Sequence, residues 1–396
     1  MYFDLKKIKA QIEQVSEEVL AFRRDLHMHP ELSEQETQTE EKICSRLDAL
    51  QIPYQRGVAG HGVCAVIHGS TTDRTVGIRA DIDALPVTEQ TGLSYTSSTP
   101  GVMHACGHDM HTAILVGTAA ILKQNADTLP GTVKLFFQPS EETIGGAKQM
   151  IDAGCLEDPQ VENVIALHVD PMTDLGKLKF TKGCMNAATT EMELTVRGKA
   201  CHGAHPDTGI DALPPACSIV AALQTIVSRN LAPTTPAVVT VGTFRSGTAS
   251  NVISGEAKLG GTIRALDLDV MAYLKERVQK IAVDTAEAYG ASCEVLLDDG
   301  YPPLQNSDEL FALLLPAMEE VFGTENILRS DLPSLGADDF AYFTQACRGL
   351  YFDLGTHDPY SDEYFPLHSE HFAPQEEAIK VGILAELTAV YTILHS

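Results

Sequence analysis

The chain has 396 residues, 44% of them hydrophobic and 21% charged, and this length predicts about two domains. Its formal net charge of −26 repels phosphate backbones, so nucleic acid is excluded as a partner. No segment reaches the ~18 uninterrupted apolar residues that a membrane span needs, and the charged N-terminus lacks the apolar core of a signal peptide. The nine cysteines lack the regular spacing of a disulfide scaffold, which favours a reduced, cytoplasmic protein.

The first part of the chain has the pattern of an α/β domain. Apolar residues recur every three or four positions from Ile8 to Phe22, which predicts a helix, and a second helix is predicted from Ser33 to about Leu50. Short apolar, β-branched runs then alternate with helical stretches, which indicates a mixed, mostly parallel sheet flanked by helices. The predicted strands are 63–68, 75–80, 132–137 and 163–167, and the predicted helices between them are 112–124 and 145–153.

Residues 187–299 have a different order of elements, β-α-β-β-α-β, which is typical of a ferredoxin-like fold. The predicted strands are 189–196, 237–244, 256–263 and 292–297, and the predicted helices are 210–229 and 268–289. This order predicts an α+β domain inserted into a catalytic domain, which would consist of residues 1–186 and 300–396. A last helix is predicted from Pro374 to about Leu394.

Polar side chains follow three of the predicted strands in the first part of the chain. They are Asp81 and Asp83 after the second strand, Glu141 and Glu142 after the third, and His168 at the end of the fourth. Because the carboxyl ends of strands in an open α/β sheet line one crevice, we expect these side chains to meet. The two glutamates are the most informative, since one carboxylate can bind a metal ion while its neighbour acts as a base.

A fourth polar cluster, residues 104–111, lies on a glycine-containing turn before a predicted helix and contains a thiol, three imidazoles and a carboxylate. Thiolate and imidazole together suit a borderline or soft divalent ion, with Zn²⁺ first among the candidates. Taken singly, each cluster also fits a structural interpretation, because a cysteine is commonly core and a glutamate pair is commonly solvated. Their repetition at successive strand ends favours a metal site.

Other motifs are weaker on inspection. Gly60–Ala65 fits the pattern G-x-G-x-x-A but precedes a strand, whereas the dinucleotide fingerprint follows one. The chain has no Walker A sequence, no G-x-S-x-G elbow and no H-E-x-x-H helix. The sequence therefore gives no support to the chemistries that those motifs carry.

Sequence blocks along nearly the whole chain resemble the amidohydrolase family that includes hippurate hydrolase, bacterial N-acyl-amino-acid deacylases and plant auxin-conjugate hydrolases. The blocks are FRRDLHMHPELSEQET, IRADIDALPVTEQTG, MHACGHDMHTA, FFQPSEE, GGAKQMIDAG, ALHV, GKACHGAHPDTGIDAL, ASNVI, GGTIR, SLGADDFAYF and LHSEHF. These proteins belong to the wider group of aminoacylase-like, two-metal peptidases. The resemblance implies a zinc-peptidase-like catalytic domain, with residues 187–299 as a lid that also forms a homodimer.

The resemblance also implies the residues of a metal centre. The metal ligands would be Cys106, His108, Glu142, His168 and His368, with Cys106 bridging the two ions. Glu141 would be the general base, and Asp81 would be an acid that supports the metal loop. Related peptidases carry a histidine two residues before this acid, where the chain has Arg79. His104, Asp109 and His111 would then support the ligands through hydrogen bonds or be structural.

The inserted domain has its own family parallels. His202 resembles the lid histidine that polarises the carbonyl of the bond to be cut. Asn251 and Arg264 resemble groups that hold the carboxylate of the substrate, a task that suits the fork of an arginine. Gly336 would lie beside the substrate backbone. From the residues alone, His202 reads as a turn residue and Arg264 as a solvated cation at a strand end.

The function implied by the resemblance is deacylation of N-acyl amino acids by a metal-bridged water, with Glu141 as the base. Zn²⁺ is the first candidate for the two divalent ions, and Mn²⁺, Co²⁺ or Ni²⁺ are alternatives. A dipeptidase or carboxypeptidase with the same metals is the second hypothesis. A metal-binding homologue without catalytic activity is the third. The sequence identifies neither the acyl group nor the amino acid.

Overall fold

The computed structural model describes residues 3–396, which fold into two compact units. The first unit contains the described residues up to Met185 together with Gln305–Leu332 and Asp339–Ser396. The second unit contains Asn186–Leu304 and Pro333–Asp338. The sequence assigned residues 333–338 to the catalytic domain, whereas their backbone contacts residues of the second unit: Ala187 N–H donates to the carbonyl of Gly336 over 2.9 Å.

The helices are α1 (Leu5–Met28), α2 (Thr37–Ala49), α3 (His108–Gln124), α4 (Gly146–Asp152), α5 (Leu213–Thr225), α6 (Leu268–Ala288), α7 (Asp308–Phe322), α8 (Ala341–Ala346) and α9 (Ala378–Leu394). The first strands are β1 (Tyr54–Val58), β2 (Gly62–His68), β3 (Thr75–Asp81), β4 (Thr132–Gln138), β5 (Asn163–Asp174), β6 (Leu178–Thr181), β7 (Cys184–Asn186) and β8 (Ala188–Arg197). The remaining strands are β9 (Cys201–His202), β10 (Ala237–Ser246), β11 (Val252–Ile253), β12 (Glu256–Ala265), β13 (Ser292–Asp299), β14 (Leu304–Gln305), β15 (Ile327–Ser330) and β16 (Arg348–His357).

The first unit is built on one mixed sheet with the order β1-β2-β4-β3-β5-β16-β6-β15. The pairs β4–β3, β3–β5, β5–β16 and β6–β15 are parallel, and the others are antiparallel. Strands β3 and β4 are buried along their whole length, as expected for strands covered by helices on both faces. The predicted class, an α/β fold with a mostly parallel sheet, is confirmed.

The core of the first unit lies where α1, α3 and α9 pack together and against β3 and β5. Helix α3 is buried from its first residue to Leu122 and almost wholly apolar from Ala113 to Leu122, and α9 is buried throughout. A helix that is apolar on every side has to lie inside the domain, so α3 holds a fixed position relative to the sheet. Its N-terminus therefore places His108 reproducibly at the carboxyl ends of the strands.

Three predicted boundaries move for identifiable reasons. Helix α2 begins at Thr37 and not at Ser33, because Glu34 has a left-handed backbone with φ of 66°. Helix α9 begins at Ala378 and not at Pro374, because the N–H of Gln375 donates to the carbonyl of Thr356. Strand β5 extends to Asp174, because β16 pairs with it that far, so His168 lies inside the strand and not at its end.

The second unit contains an antiparallel sheet with the order β10-β12-β8-β13. The elements follow one another as β8-α5-β10-β12-α6-β13, which is the predicted order. Asp267 caps α6 by accepting from the N–H groups of Asp269 and Val270. Helix α5 ends at Thr225 and continues as a π-helical turn, so the helix predicted for residues 210–229 is shorter and irregular. Among the described helices, none is long and apolar enough to cross a membrane.

Candidate metal centre

The polar clusters that follow the strands meet in the first unit. Asp81 is the last residue of β3, and Glu141 and Glu142 lie just beyond β4, its parallel neighbour. His168 lies on β5, the other parallel neighbour of β3. Helix α3 follows the turn that carries Cys106, which brings this turn to the same edge of the sheet.

The five predicted metal ligands form two groups that share one residue. Cys106, His108 and His168 form the first group, and Cys106, Glu142 and His368 form the second. Within each group the candidate ligand atoms lie within 4.8 Å of one another. The thiol sulfur of Cys106 lies 3.4 Å from Nε2 of His168, and Oε1 of Glu142 lies 3.3 Å from Nε2 of His368. The shared thiol is the position expected of a bridging ligand.

Asp83 positions two of these ligands, although its role was not predicted. Nδ1 of His108 lies 2.9 Å from the backbone carbonyl of Asp83 and 3.2 Å from its carboxylate. This contact points Nε2 of His108 towards Glu142, whose Oε1 is 3.8 Å away. The same Asp83 carboxylate accepts from the N–H of Glu142 over 3.0 Å and from the hydroxyl of Ser33 over 2.7 Å. In the sequence, Asp83 was marked only by its position just after a predicted strand.

The backbone around the other two imidazoles, those of His168 and His368, sets the direction in which their rings point. Nδ1 of His168 donates to the carbonyl of Val169 over 2.8 Å, which leaves Nε2 facing the Cys106 thiol. His368 has a left-handed backbone with φ of 67°, and its N–H donates to the carbonyl of Ala105 over 2.8 Å. A non-glycine residue rarely adopts this conformation, and in it Nε2 of His368 lies 3.3 Å from Oε1 of Glu142.

The electrostatics of the cluster favour a cation. Burial raises the pKa of the Cys106 thiol well above its usual value, and the carboxylates of Glu142, Glu141 and Asp81 raise it further. The carboxylate of Glu142 is largely buried, and its Oε1 atom faces the imidazoles of His368 and His108 at 3.3 and 3.8 Å. A divalent ion would neutralise these groups and deprotonate the thiol. Thiolate, imidazole and carboxylate ligands fit the preferences of Zn²⁺, so the donor set fits the predicted metal centre.

Asp81 is buried in a network of hydrogen bonds beside the ligands. Its carboxylate accepts from Nδ1 of His111 and from Nη1 of Arg79, each over 2.6 Å, and lies 3.7 Å from Nε2 of His108. Burial raises the pKa of Asp81, but Arg79, the neighbouring histidines and the hydrogen bond hold it well below its usual value. Nε2 of His111 accepts from the N–H of Val169, so both nitrogens of this ring are engaged within the protein.

Arg79 is the centre of a buried ion-pair network that the sequence did not predict. Its guanidinium donates to Asp81, to Gln138 over 2.7 Å and to Asp339 over 2.9 Å. Asp339 also accepts from the N–H of Ala147 at the start of α4. Arg79 therefore ties together β3, β4, α4 and the LGADDF segment beside the acidic residues of the site. In the sequence, Arg79 was notable because it lies two residues before Asp81, where related peptidases have histidine.

A second unpredicted network supports the metal loop from α1. Arg23 and His27 each contact the Asp109 carboxylate over 2.8 Å, and Nε2 of His27 lies 3.3 Å from Glu89. Burial lowers the pKa of His27, but Asp109 and Glu89 raise it more, so the balance favours the charged ring. Asp109 directly follows His108, so this network fixes the first turn of α3. Arg23 and His27 both lie in the FRRDLH block, which is one of the sequence blocks that resemble the family.

His104 is buried, and neither ring nitrogen has a hydrogen-bond partner among the described residues. Burial lowers its pKa to about 4, so this ring is neutral at ordinary pH. Glu141 is also buried and forms a third group of candidate ligand atoms with His108 and Glu142. Glu141 thus lies against one residue of each ligand group.

The four predicted substrate-binding or lid residues, His202, Asn251, Arg264 and Gly336, lie in the second unit as two pairs. His202 on β9 pairs with Val252, and the N–H of Gly203 donates to the carbonyl of Asn251 over 2.8 Å. Arg264 on β12 donates to the carbonyl of Leu335, next to Gly336, over 3.2 Å. The structure therefore brings His202 near Asn251 and Arg264 near Gly336, and their substrate roles stay predictions.

A family model described as peptidase family M20/M25/M40 matches residues 77–391. N-acetyldiaminopimelate deacetylase of Streptococcus pneumoniae is 36% identical over 378 residues, which cover 93% of this chain and 96% of that protein. IAA-amino acid hydrolase ILR1-like 5 of Arabidopsis thaliana is 35% identical over 383 residues (95% and 87%). Thermostable carboxypeptidase 1 of Saccharolobus solfataricus is 36% identical over 388 residues (96% of each).

Two solved structures have the same fold along the whole chain. A protein of methicillin-resistant Staphylococcus aureus has 32% identity and a TM-score of 0.92, and the match covers 99% of this chain and 100% of that one. A dinuclear metal-binding peptidase of the M20 family from Bacillus subtilis has 32% identity and a TM-score of 0.83, with coverage of 97% and 99%. The protein is therefore a metal-dependent amidohydrolase. It belongs to peptidase family M20/M25/M40, which confirms the resemblance found in the sequence.

Proposed function

We propose that the protein hydrolyses the amide bond of small N-acyl amino acids and releases a carboxylic acid and a free amino acid. The observation that carries this proposal is the sharing of Cys106 by two ligand groups, with Glu141 beside both of them. A binuclear centre next to a buried carboxylate is an arrangement suited to amide hydrolysis. The substrates named for the deacetylase of Streptococcus pneumoniae and the hydrolase of Arabidopsis thaliana support this substrate class.

In this proposal two divalent ions bind, with Zn²⁺ as the first candidate and Mn²⁺, Co²⁺ or Ni²⁺ as alternatives. Cys106, His108 and His168 would hold one ion, and Cys106, Glu142 and His368 would hold the other. When bound, the ions supply polarisation of the substrate carbonyl and a lowered pKa for the attacking water.

The proton transfers are the task of Glu141. Its side chain is 7% exposed, so bulk water does not compete for it. Glu141 takes a proton from the attacking water and delivers it to the leaving nitrogen. Asp81 holds His111 and Arg79 in place, which keeps the acidic end of β3 fixed while the proton moves. In this assignment Glu142 is a metal ligand and Glu141 is the general base.

We also propose substrate roles for the second unit. His202 would donate a hydrogen bond to the carbonyl oxygen of the substrate, a contribution of about 3–4 kcal/mol for one such donor. Arg264 and Asn251 would hold the carboxylate of the amino acid, with Gly336 beside the substrate backbone. The neighbouring positions of His202 and Asn251, and of Arg264 and Gly336, support this assignment.

A homodimer through the second unit is part of the proposal. Phe244, Tyr289 and Leu296 in this unit are 43%, 51% and 58% exposed, which is apolar surface that a second copy would cover in a dimer. Light scattering should give twice the mass of the 42.7 kDa chain, and Phe244→Ser should shift the equilibrium to the monomer. A wild-type monomer at micromolar concentration would contradict the dimer.

We also propose a cytoplasmic location. The nine cysteines form no disulfide, which supports this proposal.

The test of the function is a substrate panel on chelated and then metal-reconstituted protein. Acetyl-, benzoyl- and indoleacetyl-amino acids should be hydrolysed only after metal is returned. Cys106→Ala and His168→Ala should reduce the metal content found by elemental analysis, whereas the exposed Cys217→Ala should not. Absence of turnover on every conjugate, in protein that carries two ions per chain, would overturn the proposal.

A carboxypeptidase or dipeptidase is the second candidate, because thermostable carboxypeptidase 1 is 36% identical to the chain. Free dipeptides and N-blocked peptides in the same panel separate the two functions. Preference for a peptide over every N-acyl amino acid, judged by kcat/KM, would establish the second candidate. Metal-dependent turnover of either class excludes a homologue that only binds metal.

A further inference from the structure

A buried turn connects the end of β4 with Glu141 and Glu142. Strand β4 ends at Gln138, and Ser140 then adopts a left-handed backbone with φ of 57°. A serine rarely adopts this conformation without support from its surroundings, because its Cβ crowds the backbone there. Ser140 is buried, and its carbonyl accepts from the N–H of Gly145 over 3.0 Å, which closes a loop around the two glutamates. The conformation of Ser140 therefore sets the direction in which the chain carries Glu141 and Glu142.

Glu36, the residue directly before α2, supplies this support. Its Oε1 atom accepts from the N–H of Ser140 over 2.8 Å and from the Ser140 hydroxyl over 3.2 Å. The oxygen of the same hydroxyl accepts from the N–H of Glu34 over 2.9 Å. Glu36 is 0% exposed, so bulk water does not compete for these bonds. The N–H and the hydroxyl of Ser140 are thus both held by the segment that precedes α2.

The role of the Glu36 side chain is not explained by the helix that it precedes. A polar residue at this position commonly accepts from N–H groups of the first helical turn, but the side chain of Glu36 does not cap α2. Its Oε2 atom is buried and has no hydrogen-bond partner among the described residues, and a buried carboxylate is costly. Among the same residues, its hydrogen bonds to another segment of the chain come from Ser140. The contact with Ser140 is therefore the feature of Glu36 that calls for a role.

Asp83 holds the other side of the same turn. Its carboxylate accepts from the N–H of Glu142 over 3.0 Å. Glu141 lies between Ser140 and Glu142 in the chain. Glu36 therefore fixes the backbone before Glu141, and Asp83 fixes the backbone after it. The two buried acids act on different neighbours of the proposed base, Asp83 on a candidate metal ligand and Glu36 on the residue that leads to the base.

We propose that Glu36 is a positioning residue for the reaction: it holds Ser140 in its left-handed conformation and thereby sets the direction of the Glu141 carboxylate. This inference rests on the proposed function, in which Glu141 is the general base. A base has to lie within hydrogen-bonding reach of the proton that it takes, so a small displacement of Glu141 slows the reaction. Glu36 transfers no proton itself and acts on the reaction through Ser140.

Hydrogen exchange followed by mass spectrometry tests the contact without an assay of activity. In the full-length protein as purified, Glu36→Ala should speed the exchange of the peptide that contains residues 140–142 about tenfold, because the N–H of Ser140 loses its acceptor. Glu36→Gln should speed it only about two- to threefold, because the amide oxygen replaces Oε1 as the acceptor. Glu40→Ala should leave this peptide unchanged. Glu40 is the matched control, since it is 4% exposed on the same helix but accepts from the N–H of Gly57 over 2.8 Å.

Steady-state kinetics of the metal-loaded variants test the effect on the reaction. Glu36→Ala should lower kcat about 10–100-fold while KM and the metal content stay close to those of the wild type. Glu36→Gln should lower kcat about two- to threefold, so the conservative change recovers most of the loss. A variant that had only lost structural support would instead lose metal or change KM and kcat together.

The outcomes separate this inference from the proposed function. Unchanged exchange in Glu36→Ala would overturn the inference, and if that variant does not fold, unchanged exchange in Glu36→Gln decides in the same way. Faster exchange with an unchanged kcat, loss of metal from Glu36→Ala, or an equal fall of kcat in Glu40→Ala would overturn it as well. Absence of turnover in the wild-type protein would overturn the proposed function, and with it the role assigned to Glu36, while the exchange data would still report on the contact with Ser140.

Discussion

Single residues decide what the metal centre can do, because its charges do not balance within the protein. Asp81, Glu141 and Glu142 act on the Cys106 thiol, and Asp83 adds a fourth buried carboxylate beside His108. Arg79 compensates Asp81, whereas Oε1 of Glu142 has two imidazoles beside it, His368 at 3.3 Å and His108 at 3.8 Å. An uncompensated buried charge is costly, so this end of the sheet is built to hold cations.

The proposed base, Glu141, can be distinguished from the proposed ligands by replacing one carboxylate with an amide of the same shape. Glu141→Gln should keep the fold and the metal content and lower kcat by about 10²–10⁴-fold, since the amide does not accept the proton of the water. Glu142→Gln is the matched control, because the same change at a ligand should reduce metal content instead. Elemental analysis and steady-state kinetics on both variants provide the measurement. An active Glu141→Gln enzyme would show that another group is the base.

Asp83 should control metal affinity without touching the metal. Asp83→Asn keeps the shape but weakens the contacts to Nδ1 of His108 and to the N–H of Glu142, so both ligands lose their fixed orientation. We expect the dissociation constant for Zn²⁺ to rise about 10–100-fold. The exposed Asp73→Asn is the control, and competition with a chromophoric chelator measures both. Equal affinities in the two variants would contradict the positioning role.

At the scale of elements, the packing of α9 against α3 includes one buried acid. Glu386 is 1% exposed, and its Oε2 atom has no hydrogen-bond partner among the described residues. Burial raises its pKa to about 8. Because the folded state holds this proton more tightly than the unfolded state, stability is fully present below the unfolded pKa of about 4.5 and falls as the pH rises towards 8.

Glu386→Gln should therefore stabilise the protein at high pH and have little effect at low pH. The linkage is about 1.4 kcal/mol for each unit of pKa difference, so we expect a gain of at least 1–2 kcal/mol at pH 8. Urea unfolding at pH 5 and pH 8 measures the difference, with the exposed Glu17→Gln on α1 as the control. A gain that is the same at both values would rule out titration of Glu386 as the cause.

At the scale of the whole molecule, the candidate ligands come from distant parts of the sequence, from Cys106 to His368. Binding of metal to the folded state alone stabilises it, by about 2.7 kcal/mol at a metal concentration one hundred times the dissociation constant. Chelation should thus lower the unfolding midpoint in calorimetry, and Zn²⁺ should restore it. His368→Ala should reduce the difference between the two forms, whereas the neighbouring, partly exposed His371→Ala should preserve it.

The sequence predicted the fold class because hydrophobic periodicity and block order are properties of local segments. It predicted the meeting of Asp81, Glu141 and His168 because parallel strands end at one edge. It did not predict the contact of Arg79 with Asp339 or of His27 with Asp109, since these pairs are far apart in the chain and no pattern links them. The left-handed backbone of His368 was not predicted either, because a positive φ at a non-glycine residue depends on the residues packed around it.

The late position of His368 has a consequence for a chain that is still being synthesised. Cys106, His108, Glu142 and His168 leave the ribosome long before it, so an unfinished chain offers a cation only part of the ligand set. The last candidate ligand, His368, emerges after β16 and shortly before α9, whose side chains belong to the core around α3. If these residues are the ligands, a chain that stops before His368 lacks one of them, and such a truncated product would compete poorly for scarce ions in the cell.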